Sequence, residues 1–412
     1  MDFVSSLQVL NERGFIKQCS DPEKLDKKLA AEPVTLYAGF DPTGPSLHIG
    51  HMVPLFAMAH LQKAGHVPIA LVGGGTARIG DPSGKTEMRK ILTLEQIGEN
   101  ITRQKKQIAK FIELTDSKGL LLDNAEWLAP LNYIDFLREI GRHFSVNRML
   151  SFETYKMRLE TGLSFIEFNY QLLQAYDFLV LNQQHGCTLQ LGGDDQWGNI
   201  VAGIDLTRRV TGHEVYGLTF TLVTRADGKK MGKTEKGALF LDPEVTSPYD
   251  FFQYWRNIPD ADVEKMLLIF TFLDKEECRE LGGLKDKEIN RGKERLAYEI
   301  TKIVHGEEEA EKAMDSSRKV FYTGSTANTE SIPSLELPRE ELDKGIDAVD
   351  LFASTELCSS KSEARRLIKQ GGGRINDEKI TSEDQKIDSS WIQDGVIMLR
   401  AGKKRYFKIV VG

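Results

Sequence analysis

The stretch VTLYAGFDPTGPSLHIGHMVPLFAMAHLQKAGHVPIALVGGG, residues 34–75, decides the fold of this chain. It predicts an apolar strand over 34–40, a helix over 50–64 and a second apolar strand over 67–72. Strands that are apolar along their whole length indicate a parallel sheet covered by helices on both faces. A later strand, over 188–191, also ends in glycines. Ligands bind at the carboxyl ends of such strands, so the loops that follow them are the candidate site.

The length and composition indicate a globular protein of two or three domains, because 412 residues exceed one ordinary core. No apolar run approaches the roughly 18 residues of a membrane helix, and residues 1–30 lack the apolar region of a signal peptide. The net charge of −7 argues weakly against a nucleic-acid binder. We expect a cytoplasmic enzyme without a zinc site or disulfides, because the four cysteines lie far apart: Cys19, Cys187, Cys278 and Cys358.

The segment PTGPSLHIGH, residues 42–51, joins the first predicted strand to the helix. His48 and His51 share a face at the helix start, where unpaired N–H groups and the helix dipole favour a phosphate. Gly50 lets a ligand approach the backbone closely, and Thr43 adds a hydroxyl. From spacing alone, a strand-turn-helix junction with two surface histidines explains these residues about equally well.

A second candidate nucleotide segment is the loop ADGKKMGKT, residues 226–234. It contains three lysines and two glycines, including Lys230 and Lys233. A lysine cluster on a loop hinged by glycines suits a polyphosphate whose charge shifts during a reaction. Taken alone, such a charge run is more often a solvated basic loop.

The predicted helix over 165–180 is almost wholly apolar, yet Tyr170, Gln174 and Asp177 recur on one of its faces. A polar stripe on an apolar helix is costly to bury unless something pairs with it. A ligand pocket is favoured over a structural hydrogen-bond network or a solvent face.

Basic residues become denser towards the C-terminus. The segment Ser360–Glu363 predicts a capping box at the start of a basic helix, and a hairpin with further basic residues follows it, including Lys403 and Lys404. A basic helix beside a basic hairpin is a candidate phosphate-binding surface, although a solvated helix explains it equally well. The candidate residues for binding RNA are Lys361, Arg365, Arg366, Lys369 and Arg374.

Both nucleotide segments resemble signatures of class I aminoacyl-tRNA synthetases. His48-Ile49-Gly50-His51 is similar to the HIGH motif, and Lys230-Met231-Gly232-Lys233-Thr234 to the KMSKS motif. The variant with Gly232 and Thr234 in place of serines is familiar in tyrosyl enzymes. The segments FIEFNY and QAYD, within residues 165–177, resemble the tyrosine-binding helix of bacterial tyrosyl-tRNA synthetases. Residues 361–379 resemble an S4 RNA-binding domain.

The resemblance implies roles for individual side chains. Asp177 and Tyr37 would bond the phenol hydroxyl of tyrosine, and Asp195 would bind ribose. The implied tyrosine site is Tyr37, Asp81, Tyr170, Gln174, Asp177 and Gln196. Within it, Asp81, Tyr170 and Gln174 would hold the amino group of tyrosine, and Gln196 would orient its carboxylate. The implied ATP site is Gly39, Asp41, Thr43, His48, Gly50, His51, Gly192, Asp195, Lys230 and Lys233. The implied catalytic groups are Thr43, His48, His51, Lys230, Lys233 and Thr234, with Lys85 and Arg89 as mobile helpers.

The resemblance also implies an α/β fold with three parts. A Rossmann-like parallel-sheet catalytic domain over 1–222 would carry a dimerisation insert at about 115–150. A helical domain over 223–322 and a linker over 323–344 would precede a small α+β S4-like RNA-binding domain over 345–412.

The activity implied is activation of L-tyrosine by ATP, which brings its own Mg²⁺, followed by transfer of tyrosine to tRNA(Tyr). A homodimer with no tightly bound cofactor and no membrane association is expected. The alternatives are a tryptophanyl-tRNA synthetase, which shares the class I core, and a catalytically silent S4-type RNA-binding protein.

Overall fold

The structure is a computed structural model that describes residues 5–83, 92–115, 117–224, 233–234, 237–318, 332–393, 395–402 and 405–412. The chain forms two compact units. The first comprises Met1–Val245 and Ile258–Leu296, and the second comprises Thr246–Asn257 and Ala297–Gly412. Some residues singled out from the sequence lie outside the described part: Lys85, Arg89, Lys230, Lys403 and Lys404.

The described residues form α-helices and short strands. The helices are α1 Ser6–Glu12, α2 Pro22–Ala31, α3 Ile49–Lys63, α4 Leu94–Ile108, α5 Ala125–Leu128, α6 Tyr133–Glu139, α7 Val146–Leu150, α8 Glu153–Thr161, α9 Phe165–His185, α10 Trp197–Thr211, α11 Pro248–Arg256, α12 Val263–Phe270, α13 Lys275–Gly283, α14 Ile289–His305, α15 Glu307–Arg318, α16 Arg339–Asp343, α17 Ala348–Ala353 and α18 Lys361–Lys369. The strands are β1 Ile16–Cys19, β2 Thr35–Phe40, β3 Val67–Val72, β4 Leu120–Asp123, β5 Cys187–Gly193, β6 Tyr216–Phe220, β7 Lys233–Thr234, β8 Gly237–Ala238, β9 Ser334–Leu337, β10 Ile346–Asp347, β11 Gly373–Ile375, β12 Glu378–Lys379, β13 Lys386–Ile387, β14 Val396–Ala401 and β15 Arg405–Val411.

A six-stranded sheet organises the first unit, in the order β1-β6-β5-β2-β3-β4. The strands from β6 to β4 are parallel, and β1 alone pairs antiparallel, with β6. The predicted parallel-sheet α/β fold is therefore confirmed. Strand β2 lies between β3 and β5, so the loops that follow these three strands meet at one edge of the sheet.

The strand-turn-helix predicted from residues 34–75 forms within one residue of the expected bounds. Helix α9 is longer than the predicted 165–180 and ends at His185, because Gly186 adopts a left-handed conformation that stops it. Ser164 caps its start in a reciprocal capping box with Glu167. A buried ion pair between Arg158 and Glu167 also connects α8 to the start of α9.

Helix α12 and the residues just after it pack onto α3. The ring of Phe56 lies 5.8 Å from that of Phe270 and 5.3 Å from that of Phe272. The buried guanidinium of Arg13 donates to the carbonyl oxygens of Leu268, Thr271 and Leu273, at 2.9, 3.1 and 2.5 Å. It thus satisfies acceptors at the C-terminal end of α12.

The second unit contains a five-stranded sheet, in the order β12-β11-β14-β15-β9. Strand β9 and α16 lie within the stretch predicted as a linker, because Leu335 and Leu337 join the core of this unit. The other domain boundaries stay predictions. Ser360 caps α18, as expected, but the capping box is only half formed, since the Glu363 carboxylate accepts from Ser359 instead.

No helix among the described residues combines the length and the apolar character needed to cross a membrane.

Replacing the buried guanidinium should destabilise the first unit. We expect Arg13→Met to lower the free energy of unfolding by about 3 kcal/mol, because buried carbonyls lose their donors. Urea denaturation followed by tryptophan fluorescence measures the change. The matched control, Arg291→Met, removes only an exposed pair with Glu288 and should cost under about 1 kcal/mol. Equal losses in the two variants would contradict the role given to Arg13.

Candidate active site

The candidate site lies where the carboxyl ends of β2, β3 and β5 meet. Asp41 directly follows β2, and its Oδ1 accepts a hydrogen bond from Thr76 Oγ1, just after β3, at 2.7 Å. A Cβ added at Gly73 would come within 2.0 Å of Asp41 Oδ1, and one at Gly74 within 2.3 Å of Asp123 Oδ1. The glycines after β3 therefore make room for carboxylates from the neighbouring strand ends.

Asp177 of α9 is the buried acid of the site. Its Oδ2 accepts from Asn124 Nδ2 at 2.9 Å and its Oδ1 from Trp127 Nε1 at 2.7 Å. Burial raises the pKa of Asp177 to about 7, although these two donors oppose the shift and the charges of Asp41 and Asp123 add to it.

Tyr37 of β2 contributes a second polar group beside this acid. Its ring centroid lies 5.4 Å from that of Phe178, the residue after Asp177. Burial, followed by the charge of Asp177, holds the pKa of Tyr37 well above its usual value. The Tyr37 hydroxyl is buried and has no hydrogen-bond partner among the described residues. A buried hydroxyl without a partner is costly, so this is a place suited to a polar group of a ligand.

Tyr170 connects α9 to the end of β2. Its hydroxyl donates to Asp41 Oδ2 at 2.8 Å, while Asn124 Nδ2 reaches Thr76 Oγ1 at 3.0 Å. A continuous chain of hydrogen bonds therefore runs from Tyr170 through Asp41, Thr76 and Asn124 to Asp177. The polar face predicted on α9 is a structural network as well as one wall of the candidate pocket.

A second network joins the remaining predicted side chains. Gln196 Nε2 donates to Asp81 Oδ2 at 2.6 Å, and the backbone of Ser83 donates to Asp81 Oδ1 at 2.9 Å. Asn199 Nδ2 donates to Gln174 Oε1 at 3.0 Å and to Gln196 Oε1 at 3.1 Å. The structure thus brings Asp81, Gln174 and Gln196 together, because Gln196 bonds Asp81 directly and Asn199 joins Gln196 to Gln174.

Glycine backbone is accessible at two places in the site, one in β2 and one at the end of β5. Gly39 is exposed although its neighbours in β2 are buried, and a Cβ added there would meet nothing within 4 Å. At the end of β5, a Cβ on Gly192 would come within 3.1 Å of the Gln196 side chain. Asp195 is exposed at this point, whereas Asp194 turns inward and accepts from Gln18.

The two histidines cap α3 with their own rings. His48 Nδ1 accepts from the N–H of Gly50, and His51 Nδ1 accepts from the N–H of His48, both at 3.1 Å. The N–H of Ile49 donates to the carbonyl of Leu239. The prediction of unpaired N–H groups here is therefore wrong, because the rings and a neighbouring segment accept them. Thr43, in the preceding turn, is exposed.

The chain that follows the second nucleotide segment runs beside the first segment. Lys233–Thr234 forms β7, paired with β8, and only the backbone of these two residues is described. The chain then runs antiparallel to the first segment: the N–H of Leu241 donates to the carbonyl of Leu47 at 2.9 Å. Backbone hydrogen bonds therefore join the first segment to the chain that follows the second.

Four of the basic side chains predicted to bind RNA have acidic or carbonyl partners within the second unit. Lys361 pairs with Asp350 and Lys369 with Glu383, both at 2.8 Å, and Arg365 lies 3.9 Å from Glu383. Arg374 donates to the carbonyl of Asp377, and Arg366 lies exposed in the last turn of α18. The positive charge of this face is partly compensated.

Four side chains of the networks were not predicted from the sequence: Thr76, Asn124, Trp127 and Asn199. Asn124 follows β4, so the strand-end rule would have identified it if β4 had been recognised. Nothing in the sequence pattern around Trp127 or Asn199 marks either one.

Two family models match consecutive parts of the chain. The model for class I tRNA synthetases (W and Y) matches residues 29–322, and that for the SYY-like C-terminal domain of tyrosine–tRNA ligases matches residues 326–409.

Similar proteins cover almost the whole length. A tyrosine–tRNA ligase of Treponema denticola is 56% identical over 98% of this chain and 99% of its own. One of Acetivibrio thermocellus is 54% identical over the same shares. Among solved structures, a C-terminally truncated mitochondrial tyrosyl-tRNA synthetase of Aspergillus nidulans is 29% identical with a TM-score of 0.70, over 77% of this chain and 94% of that one. A tryptophanyl-tRNA synthetase of Encephalitozoon cuniculi, 15% identical with a TM-score of 0.55 over 74% and 87%, shares the fold.

The raised pKa of the buried acid has a consequence for stability. Folded Asp177 keeps its proton up to about pH 7, whereas the unfolded chain releases it near pH 3.8. We therefore expect this group to stabilise the fold at low pH and to lose that contribution as the pH rises towards 7. The free energy of unfolding of the wild type, relative to Asp177→Asn, should fall across this range in urea titrations. A difference that is constant with pH would contradict the assignment.

Proposed function

Because the chain belongs to the class I tRNA synthetases for tryptophan and tyrosine, we propose that it is a tyrosine–tRNA ligase. It activates L-tyrosine with ATP, giving tyrosyl-adenylate and pyrophosphate, and passes tyrosine to the 3′-terminal adenosine of tRNA(Tyr). The observation that carries the choice of amino acid is the buried Tyr37 hydroxyl beside the Asp177 carboxyl group, at the aromatic Phe178.

Tyr37 and Asp177 together recognise the hydroxyl group on the phenol ring of tyrosine. The substrate hydroxyl donates to Asp177, which Asn124 and Trp127 already hold in place, and accepts from Tyr37. Phenylalanine leaves both groups buried without that partner and is rejected for this reason. The tryptophanyl alternative rests on a shared family model and a shared fold, whereas the relatives at 54% and 56% identity are tyrosine–tRNA ligases.

The rest of the amino acid meets the two hydrogen-bond networks. Tyr170, Gln174 and Asp81 hold the ammonium group of tyrosine, and Gln196 orients its carboxylate. The carboxyl groups of Asp41 and Asp81, whose charges act on Tyr170, suit a cationic ligand group, because acceptors of opposite charge are already in position. These networks also hold the acceptors still, so less order is lost when tyrosine binds.

ATP occupies the opening beside β2 and the two nucleotide segments. Gly39, Asp41, Gly50, Gly192 and Asp195 provide backbone approach and acceptors for adenosine. Phosphate charge is stabilised by the proposed catalytic groups, which are Thr43, His48, His51, Lys85, Arg89, Lys230, Lys233 and Thr234. Of these, Thr43, His48 and His51 lie around the start of α3. The tyrosine carboxylate is already an anion, so attack on the α-phosphate needs positioning and charge stabilisation but no general base. Mg²⁺ arrives with ATP as part of the substrate.

The proposed partners beyond the small substrates are tRNA and a second copy of the chain, in the cytoplasm. Lys361, Arg365, Arg366, Lys369 and Arg374 are proposed contacts to tRNA phosphates. The first unit exposes large apolar side chains on α6 and at the start of α9, among them Ile134 at 68% and Phe165 at 71%. Exposed apolar surface of this kind marks interaction sites, which supports a homodimer through the 115–150 insert.

Amino-acid-dependent pyrophosphate exchange tests the proposed function. Across the twenty amino acids, only tyrosine should support exchange at low substrate concentration. Tyr37→Phe should narrow the preference for tyrosine over phenylalanine by roughly 10- to 100-fold, because one hydrogen bond to the phenol is lost. The matched control is Tyr133→Phe on the exposed face of α6, which should leave the preference unchanged. Exchange with tryptophan, or none with any amino acid, would overturn the proposal.

The proposed dimer has its own test. Ile134→Asp places a charge in the exposed apolar surface and should shift sedimentation velocity profiles from dimer to monomer. Leu94→Asp, at an equally exposed leucine outside the 115–150 insert, should leave the dimer intact. A wild-type chain that sediments as a monomer would exclude this partner.

A further inference from the structure

Helix α4 holds the first nucleotide segment through three side-chain amides. Asn100 Nδ2 donates to the carbonyl of Pro42 and Gln104 Nε2 to that of Gly44, both at 2.9 Å. Gln107 Oε1 accepts from the N–H of Leu47 at 2.8 Å. Asn100, Gln104 and Gln107 recur on one face of α4, so the whole turn from 42 to 47 is fixed to a single helix face.

The same helix holds the chain that leaves the second nucleotide segment. Arg103 Nε donates to Asp242 Oδ2 at 3.1 Å, and its Nη2 lies 3.0 Å from the same oxygen and pairs with Glu244. The N–H of Asp242 donates to Ser46 Oγ at 3.0 Å. Ser46 belongs to the turn that the amides hold, so its hydroxyl links this turn to the chain at Asp242.

The burial of these groups indicates that the arrangement is specific. Gln104 and Gln107 are nearly inaccessible to solvent, and Asp242 is also buried. Buried amides and carboxylates are costly unless their hydrogen bonds form, and these bonds form only when the first nucleotide segment and the chain at Asp242 are in register with α4. A displacement of either one leaves polar groups buried without partners.

We infer that α4 is a common support that holds the first nucleotide segment in register with the chain at Asp242, beyond the second segment, and that Arg103 and Gln107 are positioning residues for the activation of tyrosine by ATP. This inference rests on the proposed function. The phenol site is built on β2, α9 and the end of β4, and α4 contributes none of the hydrogen bonds described there. A change in α4 should therefore affect the ATP step and leave the affinity for tyrosine unchanged.

The test compares Arg103→Gln with the conservative Arg103→Lys in tyrosine-dependent pyrophosphate exchange. Arg103→Gln should lower kcat about tenfold, corresponding to the loss of one charge-assisted hydrogen bond. Arg103→Lys should recover part of the loss, because it restores the charge. The dissociation constant for tyrosine, measured by equilibrium dialysis, should change less than twofold. Lys118→Gln, which removes an exposed pair with Glu113, serves as the matched control and should leave both kcat and the dissociation constant for tyrosine unchanged.

A double-variant cycle with Asp242→Asn separates positioning from general destabilisation. Arg103→Gln and Asp242→Asn should each lower kcat, and together they should cost little more than either alone. Gln107→Leu should also lower kcat with tyrosine affinity retained.

Three results would overturn the inference: unchanged kcat in these variants, equal losses of kcat and tyrosine affinity, or losses that add in the double variant. Failure of the proposed function looks different, because the wild type itself would then show no exchange with tyrosine.

Discussion

The buried hydrogen-bond chain from Asp177 through Asn124, Thr76 and Asp41 to Tyr170 is the constraint on which the rest of the site depends. It connects the middle of α9 to the ends of β4, β3 and β2. Each member is costly to bury alone, and each is satisfied only when the helix and the three strand ends take these relative positions. The network therefore fixes the pocket before any ligand arrives.

The glycines after β3 and the apolar strands are consequences of the same constraint. Asp41 reaches Thr76 only because Gly73 lacks a side chain, since a Cβ there would overlap the carboxylate. The strands beneath are almost wholly buried, so the polar groups that the chain places in this region are confined to the sheet edge. Polar recognition groups and apolar core thus meet along a single boundary.

The sequence predicted the features that depend on local pattern. Periodicity identified β2, α3 and β3 to within a residue, and the spacing of Tyr170, Gln174 and Asp177 identified the polar face of α9. It did not predict which groups complete that face. Asn124 and Asn199 are ordinary polar residues whose roles arise from tertiary packing, and no local pattern encodes such long-range pairs. The histidine rings that cap α3 replaced the expected unpaired N–H groups for a related reason, because a side-chain acceptor is available within the same turn.

Charge explains why the two halves of the proposed site are built from different parts of the chain. Asp41 and Asp81 place acidic groups in the segments that follow β2 and β3, where an ammonium group gains and a polyphosphate is repelled. The cations proposed to bind ATP come instead from residues 84–91 and 226–234 of the sequence. Lysines held permanently among these aspartates would pair with them and weaken both of the proposed binding events.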